Sequence, residues 1–187
     1  MQNNTTHTAL LVMDMQSTIL QSLSNASAVT ASVSKTITFA RNNNIPVIYC
    51  VVAFREGFPE ISNNNKSFTA ARSRFADISM EAMMQIATSV APAAGEVVVI
   101  KKRISAFTGS DLEVILRSME IRHLVLTGVA TSGVVLSTTR EAADKDYQIT
   151  ILSDACADSD EEVHRVLMTK IFPRQAEVMS VEGWTKR

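Results

Sequence analysis

The chain has 187 residues, 46% hydrophobic and 20% charged, enough for one compact domain with a core of its own and too few for two ordinary ones. Eighteen Lys and Arg against nineteen Asp and Glu leave a net charge of -1 with no basic run, which argues against a nucleic-acid partner. No apolar stretch approaches the roughly 20 residues of a membrane-spanning helix, so no membrane partner is expected either.

In chain order, short apolar runs alternate with longer segments of helical period. The polar start, MQNNTTHT, lacks the basic and apolar regions of a signal peptide, and the expected location is the cytoplasm. Thr8 to Asp14 (TALLVMD) reads as a strand, followed by a Ser/Ala-rich helical segment ending near Arg41-Asn42-Asn43-Asn44. Ile45 to Phe54 is the second strand. Arg55 to Thr69, with Gly57, Pro59 and the run Asn63 to Asn65, reads as an irregular loop of the kind that binds or covers ligands. Glu96 to Arg103 is the third strand. Ser110-Asp111-Leu112-Glu113 then fits a capping box, with the serine capping and Glu113 reaching back, and opens a helix over about Asp111 to Glu120. His123 to Gly128 and Gln148 to Leu152 are the next strands. A second capping box, Ser159-Asp160-Glu161-Glu162, opens a helix over Asp160 to Ile171 that Pro173 stops, and Ala176 to Ser180 is the last strand. Most of these strands are apolar on both faces, as parallel strands are when helices cover them above and below. The expectation is a single three-layer α/β/α domain with a mostly parallel sheet.

Ligands of such sheets bind beyond the carboxyl ends of the strands. The first strand ends in Asp14 and the third in Lys101, Lys102 and Arg103. The fourth runs into Gly128-Val129-Ala130-Thr131-Ser132-Gly133, a tight turn whose following helix aims free N–H groups at the same end. Each feature has an ordinary reading of its own: a turn cap, lysines leaving for solvent, small residues for close packing. Together they set an acid, an amine and an amide-rich turn on one edge of one sheet. Charge pairing would favour the ionised forms of the acid and amine, and burial would oppose it.

Three blocks, LLVMDMQ, VVVIKKRISAFTGSDLEVILR and HLVLTGVATSGVVLSTTREAADKDYQITILSDACAD, resemble in order the signature blocks of the isochorismatase-like hydrolase family, part of the cysteine hydrolase superfamily. The resemblance covers nearly the whole chain and implies a Rossmann-like, six-stranded sheet of order 3-2-1-4-5-6. In the cysteine-using members, nicotinamidases among them, a thiolate attacks an amide carbonyl, an Asp shuttles the proton, a Lys assists and backbone N–H groups hold the oxyanion. Matched motif by motif, the Asp is Asp14 and the Lys is Lys101, with Lys102 directed to the other sheet face. The Cys position, three residues after the Thr of GVAT, holds Val134. A valine neither attacks nor exchanges a proton, which excludes thiol-ester chemistry by that route. The resemblance also implies a cis peptide between Val129 and Ala130, with Ala130 and Val134 in the oxyanion or ligand-binding turn. The name-giving isochorismatases likewise lack the Cys and cleave a vinyl ether, with the Asp as general acid and water as the incoming group. The leading expectation is therefore a hydrolase of a small molecule without a Cys nucleophile. The alternative is a catalytically silent member that binds a small ligand or serves as a structural subunit.

Remaining candidates are weaker. Cys50 lies mid-strand and reads as a core residue; Cys156 follows the fifth strand with no nearby cation to stabilise a thiolate. Ser132 is a conceivable nucleophile or substrate contact, but no histidine is placed as its base. His7, His123 and His164 read as surface or packing residues. Nicotinamidases carry an Asp/His metal cluster after the second strand, where this chain has AFREGFPEISNNNKSF, so neither metal nor cofactor is expected. Arg55 in that stretch is a candidate partner for a substrate carboxylate, with a solvated loop arginine as the other reading. Nine methionines, the apolar fraction and the habit of the family point to a homo-oligomer.

Overall fold

Six strands form one sheet in the order β3-β2-β1-β4-β5-β6, and every neighbouring pair is parallel. The computed structural model describes residues 7–186, the side chain of Arg74 excepted, so the first six residues of the polar start lie outside it. The strands are β1 (Thr8–Met13), β2 (Val47–Val52), β3 (Val97–Lys101), β4 (His123–Val129), β5 (Gln148–Ala157) and β6 (Glu177–Met179). Each lies within or across the run that predicted it. β5 is the exception in length, continuing past Leu152 through an irregularity opposite β4. Cys156 therefore sits inside the fifth strand, paired with Gly128, and not after it.

Alternation along the strands feeds two cores. Ala9, Leu11 and Met13 join Ile48, Cys50 and Val99 on one face, under Leu112 and Leu116 of α5 (Leu112–Ser118) and Ala142 of α6 (Leu136–Asp144). Leu10 and Val12 join Tyr49 and Val125 on the other. That face is covered by Val29, Val33, Ile37 and Ala40 of α2 (Ala26–Asn42), one stripe at helical spacing, and by Trp184 of α8 (Val181–Thr185). Burying each such Val or Ile stabilises the fold by about 1.5–3 kcal/mol, which is why the strands are apolar on both sides. A four-residue turn of helix, α1 (Ser17–Leu20), links β1 to α2. Among the described residues no helix is long and apolar enough to cross a membrane.

Local details differ from expectation in three places. The Arg55–Thr69 loop ends sooner, because Asn65 accepts the Phe68 N–H and opens α3 (Lys66–Phe75), which α4 (Met80–Met84) follows. At α5 the cap position falls to Asp111, which makes no capping bond. Ser110 donates its hydroxyl toward the Ala106 and Phe107 carbonyls and accepts the Leu112 N–H at 3.2 Å, and Glu113 pairs forward with Arg117. At α7 (Glu161–Val166) Asp160, not Ser159, accepts the N–H groups of Glu162 and Val163, and Glu162 pairs with Arg165. At α7 the neighbour one position nearer the helix outcompetes the serine, whereas at α5 the serine keeps the one side-chain bond to a first-turn N–H. Beyond α7 the path widens into a π turn over Leu167–Ile171, and Pro173 lies in the 3-10 turn that follows.

Candidate active site

Asp14 leaves β1 with φ 53°, a left-handed conformation that Asp tolerates better than most residues and that breaks the strand's alternation. Its N–H is held by the Cys50 carbonyl of β2. Lys101, the last residue of β3, starts two strands away, about 10 Å at ordinary strand spacing. The lysine stem crosses the end of β2 and brings Nζ to 3.0 Å from Asp14 Oδ2. The same ammonium donates to the Arg103 carbonyl at 3.0 Å and the Ile104 carbonyl at 3.1 Å, so all three of its N–H groups are engaged. Lys102 turns elsewhere, to the Ala53 carbonyl at 2.6 Å. The pair is buried, with side-chain exposures of 2% for Lys101 and 9% for Asp14. Asp14 Oδ1 is buried without a hydrogen-bond partner. Burial therefore outweighs Lys101 and raises the Asp14 pKa above the ordinary aspartate value.

β4 lies beside β1, with Gly128 opposite Met13, so the turn after β4 opens at the same end of the sheet. Gly128 has φ 128°, and a Cβ there would stand 2.0 Å from the Met13 carbonyl oxygen. No other residue fits so close to the strand that delivers Asp14. The Val129–Ala130 peptide is cis, where the resemblance implies it. Ala130 then accepts from Gly133 N–H and Val135 N–H, and a π turn over Thr131–Val135 leads into α6. Val134 is 2% exposed and packs in the same core cluster as Met13 and Cys50.

Two residues that sequence reasoning left without a role grip this turn. Asp158, just past β5, accepts the Ser132 N–H at 2.7 Å. Burial works the other way, yet the bonds from Ser132, Asp160 and Ser159 hold the Asp158 carboxyl below the usual range. His164 of α7, expected at the surface or in packing, shares a 2.8 Å hydrogen bond between Nδ1 and Thr131 Oγ1. Burial lowers its pKa, with Asp158 acting in the opposite sense. Gln16 is a third: fully buried, it exchanges bonds with the Val52 backbone and donates to the Met83 carbonyl, tying the chain after Asp14 to β2 and α4.

Neither cysteine is poised as a nucleophile, and Arg55 has a partner outside the pair. Burial pushes the Cys50 thiol well up, with the Asp14 charge adding to it, and pushes the Cys156 thiol up to about 12. Cys156 lines a cavity of about 590 Å³ between Asn25, Asp158, Glu161, His164 and Arg165, on the β5 side of the turn. Arg55 lines a second cavity, about 460 Å³, beside Phe54, Phe58, Ile78 and Met83. Its side chain is 71% exposed, and the guanidinium bonds Glu60 Oε1 at 2.6 Å. Among the described residues no three His, Cys, Asp or Glu side chains are grouped to hold a metal ion.

The family model described as the isochorismatase domain matches residues 8–183. The chain belongs to the isochorismatase family. An isochorismatase family protein of Bacillus subtilis is 30% identical over 130 residues, which cover 70% of this chain and 66% of that protein, just under two thirds of its length. The ureidoacrylate amidohydrolase of Pseudomonas syringae is 30% identical over 202 residues, covering 95% of this chain and 79% of that enzyme. A solved isochorismatase family structure from Burkholderia thailandensis superposes with a TM-score of 0.82 at 27% identity, over 94% of this chain and 92% of that one. The parallel sheet, its order and the helices on both faces are those of an isochorismatase fold.

Proposed function

We propose that this protein is a hydrolase of a small molecule that adds water by acid–base chemistry at Asp14, without a thiol nucleophile. The observation that carries the reading is the buried Asp14–Lys101 pair with Asp14 Oδ1 left unpartnered. Lys101, with every N–H in use, positions and polarises the carboxyl while Oδ1 holds the working proton. A raised pKa keeps that proton in place at a pH where an ordinary aspartate has lost it. Donated to an enol-ether carbon, it leaves an oxocarbenium that water attacks; the Asp14 carboxylate then takes a proton from that water, and the hemiketal collapses to a carbonyl and an alcohol. For an amide or ureido bond the ionised form of Asp14 is the working one: water attacks the carbonyl, the carboxylate takes its proton and passes it to the departing nitrogen. The oxygen that becomes negative in the second case is assigned to those backbone N–H groups of the Ala130–Val134 turn that are not already spent, as those of Ser132 and Gly133 are, on Asp158 and the Ala130 carbonyl. Val134 occupies the place of the superfamily's nucleophile. The relative named a ureidoacrylate amidohydrolase makes amide and ureido compounds one substrate class to try, and vinyl ethers the other. Arg55 is the group offered to a substrate carboxylate, and Ser132 holds the turn through Asp158. Both cysteines are free and buried, in keeping with the cytoplasm as its compartment.

The test is turnover across vinyl ethers, amides, ureido compounds and esters. Asp14→Asn is expected to lower the rate by about 10²–10⁴-fold, the usual worth of a general acid. In the wild type, vinyl-ether cleavage should fall as pH rises through the elevated Asp14 pKa, because the acid must be protonated. Iodoacetamide should leave activity intact. Loss of activity in Cys156→Ser with retention in Asp14→Asn would overturn the assignment. Tight ligand binding without turnover would favour the silent member, a reading that Val134 and the near closure of Asp14 also support.

A further inference from the structure

Just past β2 the chain folds back on itself. Arg55 to Phe58 form a turn in which the Phe58 N–H bonds the Arg55 carbonyl at 2.9 Å, with Gly57 at φ 75° and Phe58 at φ 54°. A left-handed backbone is unfavourable for an aromatic residue; here it accompanies a Phe58 ring placed 6.1 Å from that of Phe54. These two rings, Met83 of α4 and the connection from α3 to α4 line the cavity of about 460 Å³. Phe54 and Met83 are buried, so the inner lining is apolar. Gln16 ties that lining to the strand that delivers Asp14. It stands two residues after Asp14, and its side chain bonds the backbone of Val52, two residues before Phe54, and the Met83 carbonyl. Arg55 is the cation of the lining. A guanidinium carries five N–H groups; among the described residues one of these bonds Glu60 Oε1, and the Arg55 peptide N–H goes to Glu60 Oε2 at 3.3 Å. Lys102 Nζ, anchored on the Ala53 carbonyl, lies 4.0 Å from the same Glu60 Oε1. Glu60 thus holds the guanidinium by one corner and leaves its other N–H groups for a ligand.

We infer that this cavity takes a small monocarboxylate with an apolar body, its carboxylate on the free edge of Arg55 and its body against Phe54, Phe58 and Met83. A planar fork of N–H groups matches a carboxylate in bidentate fashion, and Arg55 gives up no existing partner to offer one. An exposed ion pair by itself binds little, and the apolar lining supplies the rest of the driving force. Glu56 and Asp77, both exposed, line the same cavity and set the limit to one charge, because each repels a second carboxylate on the ligand. An ammonium would meet these two acids as well, but it would leave the Arg55 fork unused beside a like charge. That the acid belongs to the substrate rests on the hydrolase reading above, in which Gln16 holds this lining near Asp14. That the cavity binds such an anion does not.

Titration of the isotope-labelled protein at low salt, followed by its amide resonances, tests this with benzoate, benzamide, benzylamine and isophthalate. Benzoate should shift the amides of Gly57, Phe58 and Met83 along a saturable curve and bind more tightly than the other three. Arg55→Gln should weaken benzoate by about 10–100-fold, the worth of hydrogen bonds to a charged group, and leave benzamide unchanged. Phe58→Ala should weaken both ligands alike, since both lose the same apolar contact. Glu56→Gln with Asp77→Asn should raise the affinity for isophthalate and spare benzamide. Preference for benzylamine over benzoate would overturn the inference, as would benzoate shifts confined to other parts of the chain, or no saturation by about 10 mM. Equal loss of benzoate and benzamide in folded Arg55→Gln would overturn it too. Should that variant misfold, the order of the four probes on the wild type decides. Because binding is read without turnover, benzoate seated here in a protein that hydrolyses nothing supports the cavity and refutes the catalytic reading alone. Acid substrates turned over equally by wild type and Arg55→Gln would refute the substrate assignment alone.

Discussion

Replacing Lys101 by Met keeps most of the apolar stem and removes the ammonium. The charge has three partners: Asp14 Oδ2 at 3.0 Å, the Arg103 carbonyl at 3.0 Å and the Ile104 carbonyl at 3.1 Å. The two carbonyls belong to a half-buried and an exposed residue and can turn to water. Asp14 cannot; its Oδ1 is already unpartnered, and the substitution leaves both oxygens buried without a donor. Breaking a buried pair by deleting one partner costs about 3–5 kcal/mol, and that is the deficit expected in urea unfolding at pH 8. The deficit should depend on pH with a definite sign. Burial holds the folded-state pKa of Asp14 above its unfolded value, so its contribution to stability is greatest below the unfolded pKa and is lost as pH rises through the folded pKa. Deleting the cation raises the folded pKa further and extends the loss to higher pH. Lys101→Met should therefore sit nearer the wild type at pH 5 than at pH 8. Adding Asp14→Asn to it should restore at least about 1 kcal/mol at pH 8, the non-additivity of residues in contact. A deficit that is flat with pH, or largest at low pH, would refute the picture of an ionised carboxylate stranded in the core.

Gly128→Ala sets a Cβ 2.0 Å from the Met13 carbonyl oxygen at a φ of 128°, so strain and overpacking together should cost about 2–5 kcal/mol; a change below about 1 kcal/mol in urea unfolding would show that β4 yields freely. Val134→Cys places a thiol where α6 begins. Mass spectrometry of the folded variant should find the new thiol alkylated by iodoacetamide while Cys50 and Cys156 stay unmodified, and an inert thiol there would mean that the turn does not face an accessible pocket. His164 has a lowered pKa, so its contribution to stability is complete above its unfolded value of about 6.5 and is lost as pH falls through the folded value. Replacing it by Gln should flatten the decline in stability between pH 7 and pH 5, as followed by thermal melting; an unchanged slope would remove His164 from the account.

Much of this protein is written locally. Two-sided apolar runs fix where strands form, because each residue of a covered strand must leave water on one face or the other. The residues that end those runs, Asp14, Lys101 and the Gly128-to-Val134 turn, are legible as a convergent group because strand direction alone places them on one edge. Helix entry is legible to within one residue, but not which side chain caps: Ser110 with Asp111 and Ser159 with Asp160 offer similar local chemistry, yet the serine takes an N–H at the first helix and the aspartate takes two at the second. What holds the turn is not legible. Asp158 and His164 reach Ser132 and Thr131 across 26 and 33 residues of chain, and nothing in their neighbourhoods in sequence marks that meeting. β3 shows the division most sharply. VVVIK reads as a strand buried on both faces, and by composition it is one. Apolarity specifies that a strand should be covered and is silent on what covers it. The crossovers that put β3 at the end of the sheet, and left Val98 and Ile100 in water, are a property of the assembled fold.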